Sequence, residues 1–291
     1  MVISKYIKSF RLRTLPLSMS GIILGSCMAA PYWRTDIFIL AILTTLSLQI
    51  LTNLSNELGD ANRGTDTFQD GRVAYSLQSG DITPKEITYC IWLFAILSVF
   101  FGMGLICLSF GTLFCTQSIV FMILGAAAIV AAITYTLGSK PYGYHGFGDI
   151  SVFIFFGLLS TIGAYYLQAQ TVTPQVVFAA CALGLPIVGV LNVNNIRDME
   201  NDVAHHKITF ASRLGVRNAK IYHTLLITAS FILFAFAQLW IAFAFAPIFA
   251  VHLFFVWKNE GKALDKQMPL LSFSTLALAI CCGISMFLFH F

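Results

Sequence analysis

Nine stretches of this chain, near 15–33, 36–57, 87–112, 117–137, 149–168, 174–196, 218–237, 239–257 and 269–290, are almost purely apolar. Six of them, 15–33, 87–112, 117–137, 174–196, 239–257 and 269–290, contain no Asp, Glu, Lys or Arg at all. A hydrocarbon core about 30 Å thick takes about 20 such residues per helix, so the reading is an all-α, polytopic membrane protein with nine transmembrane helices. Only 10% of the residues are charged, against about 25% in a soluble domain, and the mean hydropathy is +0.81. The stretches use most of the sequence, so residues 1–291 read as one membrane domain with no separate soluble unit.

Basic residues give the orientation. With nine spans, Arg34 alone among the 17 Lys and Arg residues falls on one side. The positive-inside rule then places the N-terminus in the cytoplasm and the C-terminus outside. This sorting requires a hairpin near Gln238, so that Lys220 and Lys258 share a side. The formal charge of +4 is thus a matter of topology and of an anionic leaflet or substrate, with no claim on nucleic acid. The basic start followed by "LPLSMSGIILGSCMAAP" resembles a signal peptide; with eight further spans behind it, it reads as a retained helix whose small residues pack closely. The seven cysteines form no C-x-x-C or Cys/His pattern and read as small buried apolar groups.

The polar residues are placed less evenly than solubility would require. "NLSNELGD" closes the second apolar stretch, and Asn53, Asn56, Glu57 and Asp60 fall at i, i+3, i+4 and i+7, one helical face. "NVNNIRDMEND" closes the sixth, with Asn195, Asp198 and Asp202 at i, i+3 and i+7. Both patterns are Asn-x-x-Asn followed by acids at a cytoplasmic helix end, which suggests a weak internal duplication and one shared cavity. Glu57, Asp60, Asp66, Asp198 and Asp202 converging without compensation would repel one another. Carboxylate and amide oxygens without His or Cys favour Mg2+, which is typically held by one or two carboxylates and substrate phosphates. Arg63, Arg72, Lys140, Arg197, Lys207 and Arg213 lie in the same loops and suit a diphosphate whose charge must be neutralised as it leaves. In "SKPYGYHGFGDIS" (139–151), Asp149 is placed to N-cap the fifth helix, while Lys140, Tyr142 and Tyr144 could meet a phosphate or stack on a planar acceptor. Arg11 and Arg13 sit where the chain first meets the membrane, a snorkelling position by default.

These residues resemble the UbiA-type intramembrane prenyltransferases. The first motif of that family, N-D-x-x-D with a further Asp, stands here as Asn56-Glu57-Leu58-Gly59-Asp60 with Asp66 following, and Glu57 replaces the usual Asp. The second, D-x-x-x-D, is intact as Asp198–Asp202. "RTLPL" (13–17), "KPYGY" with "GDIS" (140–151) and "NNIRDMENDVAHHKITFASRLG" (194–215) resemble the branch whose aromatic acceptor is 1,4-dihydroxy-2-naphthoate. The resemblance covers essentially the whole chain. It implies a nine-helix bundle in the plasma (inner) membrane, with Asn56, Glu57, Asp60, Asp66, Asp198 and Asp202 holding Mg2+ and a polyprenyl diphosphate. It further implies Arg72, Lys140, Arg197 and Lys207 gripping the diphosphate, with Lys140 and Tyr142 near the acceptor; Asn53, Arg63 and Asn195 are added as substrate-binding candidates from their places on the same faces and loops. The implied activity is prenyl transfer with loss of CO2 and pyrophosphate, as in menaquinone biosynthesis. Rival readings are a related enzyme acting on 4-hydroxybenzoate or another acceptor, or a divalent-cation transporter. A transporter would set its acids on broken helices near the bilayer midplane, whereas these close helices at the cytoplasmic side.

Overall fold

The computed structural model describes residues 4–65 and 75–289. Asp66 and Arg72 lie outside the described residues. The described chain is all-helical, with long rods α1 (Leu15–Met28), α2 (Thr35–Asn62), α3 (Pro84–Phe110), α4 (Thr116–Thr134), α5 (Gly148–Ala169), α6 (Pro174–Arg197), α7 (Val216–Phe236), α8 (Trp240–Lys258) and α9 (Gln267–Phe289). Among the described residues, eight rods are long and apolar enough to cross a membrane, and Leu12–Met28 is a shorter apolar helix. The exterior is apolar as well, with Trp92, Phe100, Phe114, Ile123, Leu225 and Phe254 exposed. Water would not tolerate so large an uncovered surface. This is a multi-pass membrane protein.

Local chemistry sets the ends of the rods. Thr83 and Glu86 form a capping box ahead of α3, with Pro84 in its first turn, and Gly111 ends that helix at φ 72°. Gln238, at φ 60°, breaks the run between α7 and α8, which is the hairpin that the charges demand. Helix α5 starts at Gly148, one residue earlier than the sequence suggests, so Asp149 lies in its first turn and does not cap it.

Hydrophobic burial does little to drive helices together in lipid, so close packing of small residues matters more. Helix α1 lies against α5 through Gly25, where an added Cβ would come 2.1 Å from the Thr161 carbonyl oxygen. Helices α5 and α6 meet at Gly157 and Gly184, where the corresponding approach is 2.8 Å. The middle of α5, Phe153–Leu159, is a π-helix, a rare form found chiefly at functional sites. One core joins α1 with α6 to α9 around Leu24, Leu183, Phe234, Phe249 and Leu278. A second joins α2, α3 and α4 around Leu51, Leu54, Ile87 and Ile91. A cavity opens between them.

Candidate active site

The cavity measures about 1210 Å³ and is lined by α1 to α6 and by Met268, Pro269 and Ser272 of α9. Its polar mouth holds Asn53, Asn56, Asp60, Asn194, Asn195, Arg197, Asp198, Asp202 and Lys207. Its depth is apolar, reaching Met103, Ile106, Phe121, Phe156 and Leu167. The two acid–amide helix ends therefore meet at one opening, as their spacing predicts. Arg11 and Arg13 also line the mouth. Arg11, at φ 48°, places its guanidinium 4.0 Å from the Tyr75 ring centre.

Gly59 brings the first helix end into place. A Cβ there would fall 2.6 Å from Thr136 Oγ1, so only glycine lets α2 press against the segment that follows α4. Across that contact, Thr136 Oγ1 lies 3.2 Å from Asn56 Oδ1. The second end bends at Asp198, where α6 stops, yet the helical spacing survives. Asp198 N–H donates to Asn194 O (3.0 Å) and Asp202 N–H donates to Asp198 O (2.8 Å), so Asn195, Asp198 and Asp202 all reach the cavity.

Tyr144 joins the two ends. Its hydroxyl donates to Asp60 Oδ1 at 2.7 Å and lies 2.8 Å from Thr65 Oγ1. An ionised carboxylate only accepts, so the single phenolic hydrogen goes to Asp60 and Thr65 donates to Tyr144. The Tyr144 carbonyl accepts from Ile208 N–H at 3.0 Å, and Asn201 Nδ2 donates to Thr65 O at 3.0 Å. Lys207 completes the group, 3.4 Å from Asp202 Oδ1 and 5.6 Å from the Tyr144 ring centre. Burial opposes the charge on Lys207, but Asp60, Asp202 and Tyr144 outweigh it and hold the ammonium above its ordinary range. Burial, followed by the Asp60 charge, pushes the Tyr144 phenol upward. Both groups therefore stay protonated at neutral pH: a fixed cation and a fixed donor beside Asp60.

Several predicted residues lie elsewhere or are engaged otherwise. Glu57 is fully buried and is not among the residues lining the cavity; its Oε1 accepts from Leu77 N–H at 2.7 Å. Arg63 donates to the carbonyls of Thr136 (2.8 Å) and Gly138 (2.6 Å), bracing the loop below Tyr144. Lys140 is exposed and away from the cavity. Tyr142 lines the cavity, with its hydroxyl 3.0 Å from Ala131 O and 2.9 Å from Ser151 Oγ. Asn53 lines it too, but its Nδ2 donates to Phe10 O and Thr14 Oγ1, both at 2.9 Å. Arg197 grips Asp198 through two hydrogen bonds of 2.8 and 2.7 Å, and it donates to Asp265 Oδ1 at 2.6 Å. Asp265 and Gln49 were not singled out from the sequence. A lone amide inside an apolar span is the signal that could have found Gln49.

The donor set can be tested against a divalent cation. Among the described residues, no group of three or more His, Cys, Asp or Glu side chains forms a ready metal site. Asp60, Asp198 and Asp202 with neighbouring amides still supply hard oxygen ligands at one mouth, which suits a Mg2+ shared with substrate phosphates.

The UbiA prenyltransferase family matches residues 18–277. The chain belongs to that family. It is 40% identical over 245 residues to the 1,4-dihydroxy-2-naphthoate octaprenyltransferase of Escherichia coli K12, covering 81% of this chain and 78% of that one. Its likeness to the protein of the same name from Haemophilus influenzae is 37% over 280 residues and 90% of each chain. Among solved structures, a UbiA homolog from Archaeoglobus fulgidus bound to DMAPP and Mg2+ shares the fold with a TM-score of 0.69 at 17% identity, covering 98% of this chain and 99% of that one.

Proposed function

We propose that this protein transfers a polyprenyl group from polyprenyl diphosphate to 1,4-dihydroxy-2-naphthoate, releasing pyrophosphate and CO2 and giving demethylmenaquinol for menaquinone biosynthesis. The observation that carries this reading is that two acidic helix ends share the mouth of one long apolar cavity. Its chemistry is also that of relatives 37 to 40% identical over most of the chain.

The residues divide the work. Asp60, Asp198 and Asp202, with Asn56 and Asn195, would hold Mg2+ at the mouth, and Asp66 is a further candidate. When bound, Mg2+ supplies charge neutralisation for the departing diphosphate. Lys207 contributes a permanent positive charge beside the same oxygens, and Arg197 is released to the diphosphate if Asp198 turns to the metal. Arg72 is a further candidate for that grip. The prenyl chain lies in the apolar depth, where the absence of water protects an allylic cation as its C–O bond breaks. The ring carbon bearing the carboxylate forms the new C–C bond, and loss of CO2 restores aromaticity. No covalent enzyme nucleophile is needed.

The topology fits this division. We place all nine rods across the bacterial inner membrane, the short α1 included, with the N-terminus and the polar mouth cytoplasmic and the C-terminus outside. Residues 1–291 then form a single catalytic domain. Membranes carrying the protein, given dihydroxynaphthoate and polyprenyl diphosphates of graded length with and without Mg2+, test the reading. Release of equal amounts of CO2 and pyrophosphate that stops on chelation is the expected result. Turnover of 4-hydroxybenzoate in preference to the naphthoate would refute the acceptor.

A further inference from the structure

Gln49 lies on α2 one turn deeper than Asn53, where the polar mouth gives way to the apolar depth. It is 6% exposed, lines the cavity, and its Oε1 has no hydrogen-bond partner. The surrounding network fixes which way its amide faces. Asn53 must present Nδ2 to the Phe10 carbonyl (2.9 Å), which can only accept, so Asn53 Oδ1 faces Gln49. Gln49 answers with Nε2, 3.2 Å from that oxygen and 3.1 Å from Thr14 Oγ1. The Thr14 hydroxyl hydrogen is itself committed to Arg11 O at 2.9 Å. Both amide hydrogens of Gln49 are therefore occupied, and the group left for the cavity is a pure acceptor. A buried acceptor without a donor costs about 1–3 kcal/mol, so the site calls for a ligand that brings an O–H or N–H.

We infer that Gln49 Oε1 accepts a hydrogen bond from a ring hydroxyl of the aromatic acceptor and selects for acceptors that carry it; this rests on the acceptor proposed above. Axial distance supports the assignment. Gln49 lies about 16 Å along α2 from Asp60, at about 1.5 Å per residue, so it is set past the diphosphate, in the part of the cavity where the ring would stand. Prenyl chains and diphosphates offer no donor, and the naphthoate offers two hydroxyls. The hydroxyl beside the carboxylate is engaged by that carboxylate, as in any ortho-hydroxy aromatic acid. The 4-hydroxyl is free to donate, so it is the one Gln49 takes. A lone acceptor oxygen also repels the carboxylate, which turns that edge of the ring towards the cations of the mouth.

The test compares kcat/KM for 1,4-dihydroxy-2-naphthoate and 1-hydroxy-2-naphthoate in the wild-type protein, Gln49→Met and Gln49→Leu. Ring electronics differ between the two acceptors but are common to all three proteins, so the ratio of ratios isolates the contact. Loss of one such bond is worth about tenfold, so the preference for the dihydroxy acceptor is expected to fall about tenfold in each variant that folds. If both acceptors are slowed equally, Gln49 only braces Asn53 and Thr14, and the inference is overturned. A wild-type protein that prenylates neither naphthoate overturns the acceptor assignment itself, and this inference with it. Two variants of different shape keep the comparison open should one fail to accumulate.

Discussion

Tyr144→Phe removes one oxygen atom from the joint between the two acidic helix ends and leaves the ring in place. The phenol donates to Asp60 Oδ1 at 2.7 Å, and a hydrogen bond to a charged group contributes about 1.5–3 kcal/mol. The ring that carries Arg63 at 5.1 Å and Lys207 at 5.6 Å persists in phenylalanine, so those cation contacts survive and the effect belongs to the hydroxyl. Asp60 then loses its orienting donor, and Thr65 is left facing carbon. Partners that orient a metal ligand are typically worth about 10–100-fold in metal affinity or activity. The Mg2+ concentration for half-maximal pyrophosphate release is therefore expected to rise about 10–100-fold in Tyr144→Phe. Because the phenol of Tyr144 is held above its ordinary range, it is fully protonated below the usual tyrosine value and is lost as a donor only as pH rises through the higher one. The gap between wild type and variant should accordingly stay constant between about pH 6 and 9. A variant with the wild-type Mg2+ midpoint and turnover would refute the placing of Tyr144 as the orienting partner of Asp60.

Other perturbations separate the mouth from its surroundings. Asp60→Ala and Asp198→Ala are each expected to lower Mg2+-dependent pyrophosphate release about a hundredfold or more, with detergent-solubilised protein still unfolding cooperatively. Glu57→Leu should leave the Mg2+ midpoint unmoved and instead lower stability by about 1–3 kcal/mol, read as a drop in thermal midpoint, because it removes the acceptor of Leu77 N–H. Lys140→Ala should turn over within about twofold of wild type, as for most exposed positions. Gly25→Ala drives a methyl against the Thr161 carbonyl and should cost about 1–3 kcal/mol, measured as lost thermal stability with little change in KM.

The meeting of the two acidic ends could be read from the sequence because charge and helical spacing act together there. Carboxylates at the end of an oily helix are costly unless something gathers them, and the spacing from Asn195 to Asp202 gives them one direction. The same reasoning overreached at Glu57. On a helix turning about 100° per residue, Asn53, Asn56 and Asp60 lie within about 60° of one another, and Glu57 sits on the opposite flank of the stripe. The cavity takes the first flank and the loop carrying Leu77 takes the second, a choice made by tertiary packing. Lys140 misled for a different reason: spacing says nothing about which way a residue points from an irregular loop. Arg197 and Asp198 were assigned separate duties, and their adjacency as a bidentate pair depends on the bend that ends α6. The hairpin at Gln238, by contrast, followed from charge alone, because Lys220 and Lys258 could not share a side without it.

The π-helix at Phe153–Leu159 accounts for the straightness of one wall. From α5 the lining residues include Ser151, Phe155, Leu159, Gly163 and Leu167, a repeat of four. On an ordinary helix of about 3.6 residues per turn, each step of four slips sideways by about 40°, and the row would wind nearly halfway round the rod before reaching Leu167. The wider coil turns less per residue and cancels much of that slip. One slack winding thus lets a single rod present an uninterrupted oily track from the headgroup level to the far leaflet, along which a long isoprenoid tail can lie without twisting.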